Sequence, residues 1–199
     1  MNPEDIEPFL ITATPHSGTM YAARIFQAIG LDVVHEGLGK HGAVGGDYAW
    51  RQTKYEYILT LQQVRNPIDV ISSLQVVGKL TWVALQNGYL PTDDEWRPLD
   101  EKDPVRGMKL WLYWNRLSER LSSYSYRVEN MAECWYDILE LIGLPTDLAF
   151  PYHVCTNTNQ HIKRHVYSWS ELYYADRNLC KEVMELAKHY GYIRQWDRN

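Results

Sequence analysis

The sequence predicts an α/β domain in three layers, with a mostly parallel central sheet flanked by helices. Short apolar runs of strand-like composition alternate with longer helix-like segments along the chain. This alternation is typical of parallel sheets, because each crossover between parallel strands needs a helix-sized connection. The chain has 199 residues and contains no internal repeat or linker-like tract. We therefore expect one domain over residues 1–199.

The elements follow in order from apolar periodicity and from capping signals. Strand-like runs cover about residues 8–13, 31–35, 57–64 and 124–129. Helix-like segments cover about residues 19–29, 67–79, 104–122, 130–143 and 168–190. Asn66 and Asp103 each precede a proline, as an N-cap residue before the first helical position often does. Two pairs have the spacing of a capping box: Asn130 with Glu133, and Ser168 with Glu171.

Charge and composition exclude several classes of protein. The 20 Lys and Arg against 25 Asp and Glu give a net charge of −5, which argues against a protein that coats nucleic acid. Neither an apolar leader nor a membrane-spanning apolar run is visible in the sequence, so we expect neither secretion nor membrane insertion. Cys134, Cys155 and Cys180 are scattered without metal-ligand spacing. We expect reduced thiols, a cytoplasmic location and no metal site.

The stretch ITATPHSGTMYAARIF, residues 11–26, passes from a buried strand to a helix through a short polar turn. The first amides of a helix have no intrahelical acceptor, and the helix dipole adds partial positive charge there. Gly18 would let an anion approach the backbone, while Ser17 and Thr19 would add hydroxyl donors. The alternative is an ordinary capped turn. A nucleotide-triphosphate P-loop fits poorly, because Thr19 stands where that motif has its lysine.

A second anion site is predicted where the strand YILTLQQV ends and the segment RNPIDVISSL begins. Arg65 lies at the end of the strand, and Ser73 lies on the following helix, about 9 Å along its axis from Pro67. A guanidinium and a hydroxyl in this arrangement can hold one phosphate from two sides. The alternative is a surface arginine with a solvated serine. Two such sites together suit a ligand with two separated phosphate-like groups.

On these residues the sequence resembles the sulfotransferase family. TPHSGTMYAARIFQAIG resembles the family's loop for the 5′-phosphosulfate, VRNPIDVISSL its 3′-phosphate motif, and VVHEG the His-Glu stretch of bacterial-type members. The resemblance implies a P-loop-like fold and transfer of a sulfuryl group from 3′-phosphoadenosine 5′-phosphosulfate to an acceptor hydroxyl, without a metal. The product nucleotide would be 3′,5′-bisphosphoadenosine.

The resemblance also implies a set of nucleotide-binding residues. Arg65 and Ser73 would hold the 3′-phosphate, and Lys163 and Arg164 in a late polar loop would assist them. The residues expected around the 5′-phosphosulfate are Pro15, His16, Ser17, Gly18, Thr19 and Met20.

Three residues are candidates for catalysis. Glu36 would be the general base that takes the proton from the acceptor, with His35 as the competing base. His16 stands where the family usually has Lys or Arg, and imidazole is cationic only in part near neutral pH. His16 acts as a protonated donor, or Lys40, Lys163 or Arg164 replaces the missing cation, or transfer is slow or absent.

Two other functions remain as alternatives to a sulfotransferase. One is a catalytically weak or inactive nucleotide-binding module of the same fold, and the other is a kinase-like phosphotransferase. The sequence does not identify the acceptor. The 15 Tyr and 8 Trp suit an aromatic cleft that binds a small molecule, and we prefer a carbohydrate. The same aromatic residues equally suit the protein core or a homodimer interface. We expect neither a nucleic acid nor a membrane as partner.

Overall fold

A computed structural model describes residues 7–45, 57–75, 103–154 and 165–193. The chain forms two compact units. The first comprises residues 1–65 and 115–160, and the second comprises residues 66–114 and 161–199. The expectation of one domain over residues 1–199 stays a prediction.

The first unit contains a five-stranded sheet in which every pairing is parallel. Its strands are β1 (Phe9–Ala13), β2 (Val33–His35), β3 (Gly42–Val44), β4 (Leu59–Val64) and β5 (Tyr124–Arg127), in the spatial order β2-β3-β1-β4-β5. The predicted mostly parallel sheet is therefore confirmed. All five residues of β1 are buried, as expected for the central strand of a parallel sheet covered on both faces.

Helices cover both faces of this sheet. On one face, α1 (Thr19–Ala28) and α4 (Trp135–Leu141) pack on alternate residues of β1, with the Phe26 ring 5.1 Å from Phe9 and 5.6 Å from Trp135 between centroids. On the other face, residues 115–121 of α3 (Pro104–Leu121) contribute Ser118, whose hydroxyl lies 3.0 Å from that of Thr12. The three-layer α/β class is confirmed.

The second unit is helical in its described part. It contains α2 (Pro67–Leu74), residues 104–114 of α3, α5 (Trp169–Ala175) and α6 (Arg177–His189). The two proline-linked N-caps are confirmed, because Asn66 accepts from the Ile68 amide at 3.0 Å and Asp103 accepts from the Val105 amide at 2.8 Å. Within the described ranges, no helix combines the length and the apolar character needed to cross a membrane.

Three local expectations are corrected by the structure. The strand β3 was not expected, because a three-residue segment with glycine reads as a loop. The helix expected from Asn130 begins only at Trp135, since Val128–Asn130 form a 3-10 turn and Asn130 donates to Glu133 without capping a helix. The last helix is two helices, because Asp176 leaves the helical conformation and its carboxylate accepts from the amides of Asn178 and Leu179.

The capping box at Ser168 and Glu171 is confirmed at the start of α5. The Ser168 hydroxyl accepts from the Glu171 amide at 3.2 Å, and the Glu171 carboxylate accepts from the Ser168 amide at 2.7 Å. Hydrogen bonds from the Ser168 amide and hydroxyl, and then from His165, lower the pKa of Glu171 to about 2 from the usual 4.5. The ionised carboxylate is therefore favoured in the folded state.

We expect this capping box to weaken in acid. A lowered pKa stabilises the fold fully above about pH 4.5, and the contribution disappears as the pH falls toward 2. Thermal unfolding of Glu171→Gln and wild type should differ at pH 6, and the difference should shrink by pH 3. Glu185→Gln, on an exposed position of α6, is the control. A difference that stays constant between pH 6 and pH 3 contradicts this role.

Candidate functional site

The candidate site lies at the carboxyl ends of β1 and β4, where the strand order reverses. From β1 the chain continues to β2 at one edge of the sheet, whereas the strand after β4 is β5 at the opposite edge. Connections that leave two neighbouring strands in opposite directions open a crevice between them, and ligands of parallel α/β sheets bind in such crevices. The turn at residues 14–18 follows β1, and Arg65 follows β4.

The turn after β1 is tight and partly left-handed. The Ser17 amide donates to the Thr14 carbonyl at 3.0 Å, and both His16 (φ 68°) and Gly18 (φ 83°) have positive φ. The first bond of α1 runs from the Ala22 amide to the Gly18 carbonyl at 3.1 Å. The amides at the start of α1 therefore have no acceptor within the helix, and they give this end of the crevice partial positive charge.

Gly18 is required at its position for two reasons. Its φ of 83° lies in the region that side chains with a Cβ rarely adopt. A Cβ at this position would also lie 3.2 Å from Cγ2 of Val128, which immediately follows β5. The residue therefore brings the backbone of the turn close to the end of β5.

Two buried side chains support the turn from the sheet. Nε2 of Gln63, near the end of β4, donates to the Ser17 carbonyl at 2.7 Å. The Tyr126 hydroxyl on β5 donates to Oε1 of the same glutamine at 2.9 Å. Burial, more than its tyrosine and cysteine neighbours, raises the pKa of Tyr126, so this hydroxyl keeps its proton. Neither residue was predicted from the sequence; the signal was a polar Gln62-Gln63 pair near the end of an otherwise apolar strand.

Arg65 reaches the same turn. Its Nη1 donates to the His16 carbonyl at 3.0 Å, so a guanidinium adjoins the helix start within the first unit. Ser73, its predicted partner for a 3′-phosphate, is a buried residue of α2 in the second unit. Their joint action on one phosphate stays a prediction.

His35 and Glu36 follow β2 and lie beside the start of α1. Nε2 of His35 is 2.8 Å from the Thr19 hydroxyl and 3.8 Å from Oε1 of Glu36. The Glu36 amide donates to the Val44 carbonyl at 3.0 Å, which ties the residue to β3. The Glu36 side chain is 61% exposed, against 24% for His35. An accessible carboxylate and an imidazole thus lie next to the predicted anion-binding turn.

Two hydroxyls in the turn are buried without a hydrogen-bond partner among the described residues. They are the Thr14 and Ser17 side chains, and both residues are fully buried. A buried hydroxyl left unpaired is costly, and such groups in native structures usually pair with water or a ligand. Thr14 was not among the predicted site residues, although it lies next to the end of β1.

The other predicted residues have varied outcomes. Pro15 lies within the turn and Met20 at the start of α1, and both are half-buried, while Lys163 and Arg164 lie outside the described residues. The chain just after them is held to α2, because Gln75 donates to the His165 carbonyl at 2.7 Å and the Tyr167 amide donates to Ser72 at 3.0 Å.

Neither family models nor curated proteins match the chain. Among the described residues, no cluster of three or more His, Cys, Asp or Glu side chains could hold a metal ion. The functional interpretation therefore depends on the residues around the turn.

Proposed function

We propose that the protein is a sulfotransferase that moves a sulfuryl group from 3′-phosphoadenosine 5′-phosphosulfate to an acceptor hydroxyl by in-line displacement. The observation that carries this proposal is the meeting of the Arg65 guanidinium with the turn that opens α1, at the carboxyl ends of two adjacent strands. A charged donor and helix-initial amides at one crevice suit a ligand rich in anionic oxygens.

The residues present fit this nucleotide. The amides of Gly18 and Thr19 and the hydroxyls of Thr14 and Ser17 would hold the 5′-phosphosulfate, because the hydroxyls lack partners among the described residues and Gly18 leaves no side chain in the way. Arg65 and Ser73 would hold the 3′-phosphate. When bound, the nucleotide supplies an activated sulfuryl group, and the protein's task is to orient it and to stabilise the charge that develops.

Glu36 is the proposed general base. Its side chain is 61% exposed and lies 3.8 Å from His35, which contacts Thr19 at the start of α1, so an acceptor hydroxyl can approach the carboxylate. His35 bonds to Thr19 and lies within 3.8 Å of the carboxylate, so it orients Glu36 or serves as the base itself. Proton removal from the acceptor as the new bond forms makes its oxygen a better nucleophile.

A carbohydrate or another small hydroxyl compound is the proposed acceptor, and a cytoplasmic location accompanies the proposal. The free thiols of Cys134 and Cys180 suit a reducing compartment. A catalytically weak or inactive nucleotide-binding module is the second candidate function. The reason is His16, which stands where the sulfotransferase family usually has a lysine or an arginine.

Nucleotide-dependent thermal stability tests the proposal. 3′,5′-Bisphosphoadenosine at about 100 times its dissociation constant should add about 2.7 kcal/mol to the free energy of unfolding and raise the melting temperature. ATP with magnesium, matched in concentration, should raise it far less. A larger shift with magnesium-ATP would favour the kinase-like alternative. Transfer of labelled sulfate to an acceptor then separates an enzyme from a binding module.

A further inference from the structure

We infer that Gln63 and Tyr126 are positioning residues that fix the direction of the Gly18 amide, and so create the anion-binding donor of the turn. Neither side chain needs to contact the ligand. The inference rests on the proposed function for the identity of the ligand, but its physical content, the orientation of one peptide group, is independent of that identity.

The first step is the direction of the two hydrogen bonds. The Ser17 carbonyl can only accept, so the Gln63 atom 2.7 Å from it must be the amide nitrogen. The other end of Gln63 is then a carbonyl oxygen that accepts from the Tyr126 hydroxyl at 2.9 Å. Both side chains are buried, which protects the two bonds from competition by water. Tyr126 thereby prevents the Gln63 amide from turning over.

The second step follows from the planar peptide. The carbonyl of Ser17 and the amide of Gly18 belong to one peptide group, and the described peptide bonds are all trans. In a trans peptide the two groups point in opposite directions. Because the Ser17 carbonyl points at Gln63, the Gly18 amide must point away from Gln63. Without that bond, the Ser17–Gly18 peptide loses the side-chain contact that sets its direction, and the Gly18 donor can turn away.

The neighbouring strand residues provide matched controls. Gln62 is also fully buried on β4, and it bonds to Asn115 at 3.0 Å and to Ser125 at 2.7 Å. Tyr124 is on β5 as well, and its hydroxyl donates to Asp137 at 3.0 Å. Gln62→Met and Tyr124→Phe therefore remove side-chain bonds from the same strands while leaving the Gln63–Ser17 and Tyr126–Gln63 bonds in place.

The direct test measures the orientation of the Gly18 N–H bond by amide chemical shift and residual dipolar coupling in the full chain without ligand. Gln63→Met and Tyr126→Phe should change both values at Gly18, whereas Gln62→Met and Tyr124→Phe should leave them at the wild-type values. In Gln63→Glu the resonance should move with pH and return toward wild type in acid, since only a protonated carboxyl can donate to Ser17. An unchanged Gly18 coupling in Gln63→Met would overturn the inference.

Binding of 3′,5′-bisphosphoadenosine gives the second measurement. Gln63→Met should weaken it at least tenfold relative to Gln62→Met, because a hydrogen bond to a charged group is lost or misdirected. Equal affinities in these two variants, with wild type binding normally, would overturn the positioning role. If wild type fails to bind this nucleotide, the proposed function fails, and the Gly18 measurement still decides the positioning role.

Discussion

Replacing Gly18 by alanine is expected to abolish high-affinity binding of 3′,5′-bisphosphoadenosine, with the dissociation constant rising about 100-fold. A Cβ at φ 83° costs about 1–3 kcal/mol. The new methyl would also press on Val128, whose Cγ2 would be 3.2 Å away. We expect the turn to relieve the backbone strain and the contact with Val128 by rotating away from its present conformation. This rotation would redirect the amides at the start of α1. Isothermal titration calorimetry measures the affinity, and thermal unfolding measures the cost to the fold.

Gly30→Ala is the matched control for this prediction. Gly30 also has positive φ, at 88°, but no atom lies within 4 Å of the position of its Cβ. It follows the other end of α1. Gly30→Ala should lose about as much stability as Gly18→Ala, because a Cβ at positive φ is strained in both. It should keep its affinity for the nucleotide. If Gly18→Ala binds as tightly as Gly30→Ala, the turn is not the anion site.

Replacing Glu36 by glutamine is expected to lower the rate of sulfuryl transfer by about 10²–10⁴ while nucleotide affinity changes little. Such a factor is typical of losing a positioned general base. The side chain of Glu36 is largely exposed, and its carboxylate lies 3.8 Å from Nε2 of His35, so removing the charge should leave the turn in place. Transfer of labelled sulfate at saturating nucleotide gives the rate, and calorimetry with 3′,5′-bisphosphoadenosine gives the affinity.

His35→Gln separates the two candidate bases. If His35 only orients Glu36, this variant should lose less activity than Glu36→Gln, and the rate should keep the pH dependence of wild type. If His35 is the base, the order of the two losses reverses and the pH dependence changes with it. A Glu36→Gln enzyme that turns over at the wild-type rate removes Glu36 from the mechanism.

Local signals were enough for much of the fold. The apolar run at residues 8–13 predicted the strand β1, and the caps at Asn66, Asp103 and Ser168 predicted helix starts, because each depends on a few neighbouring residues. The short strand β3 and the break at Asp176 were missed. A three-residue strand has too few residues to show a pattern, and an aspartate in a helical pattern reads as an exposed polar residue unless its capping bonds are known.

The candidate site, like the fold, was predicted from the sequence only in part. The sequence predicted the anion turn at residues 15–20, Arg65 at the end of its strand, and the His35–Glu36 pair. It did not predict that Arg65 bonds to the His16 carbonyl or that Thr14 has a buried hydroxyl without a described partner. These features depend on the pairing of β1 with β4, which joins residues about 50 positions apart in the chain.

The sequence by itself therefore determined the class of the fold and the chemical type of the turn, since helix-initial amides, a glycine and nearby hydroxyls are local properties. Only the tertiary structure decided which way the donors of that turn point. Their direction depends on Gln63 and Tyr126, which belong to two other strands. A hydrogen bond acts over about 3 Å, and which side chains come that close is set by the order and register of the strands.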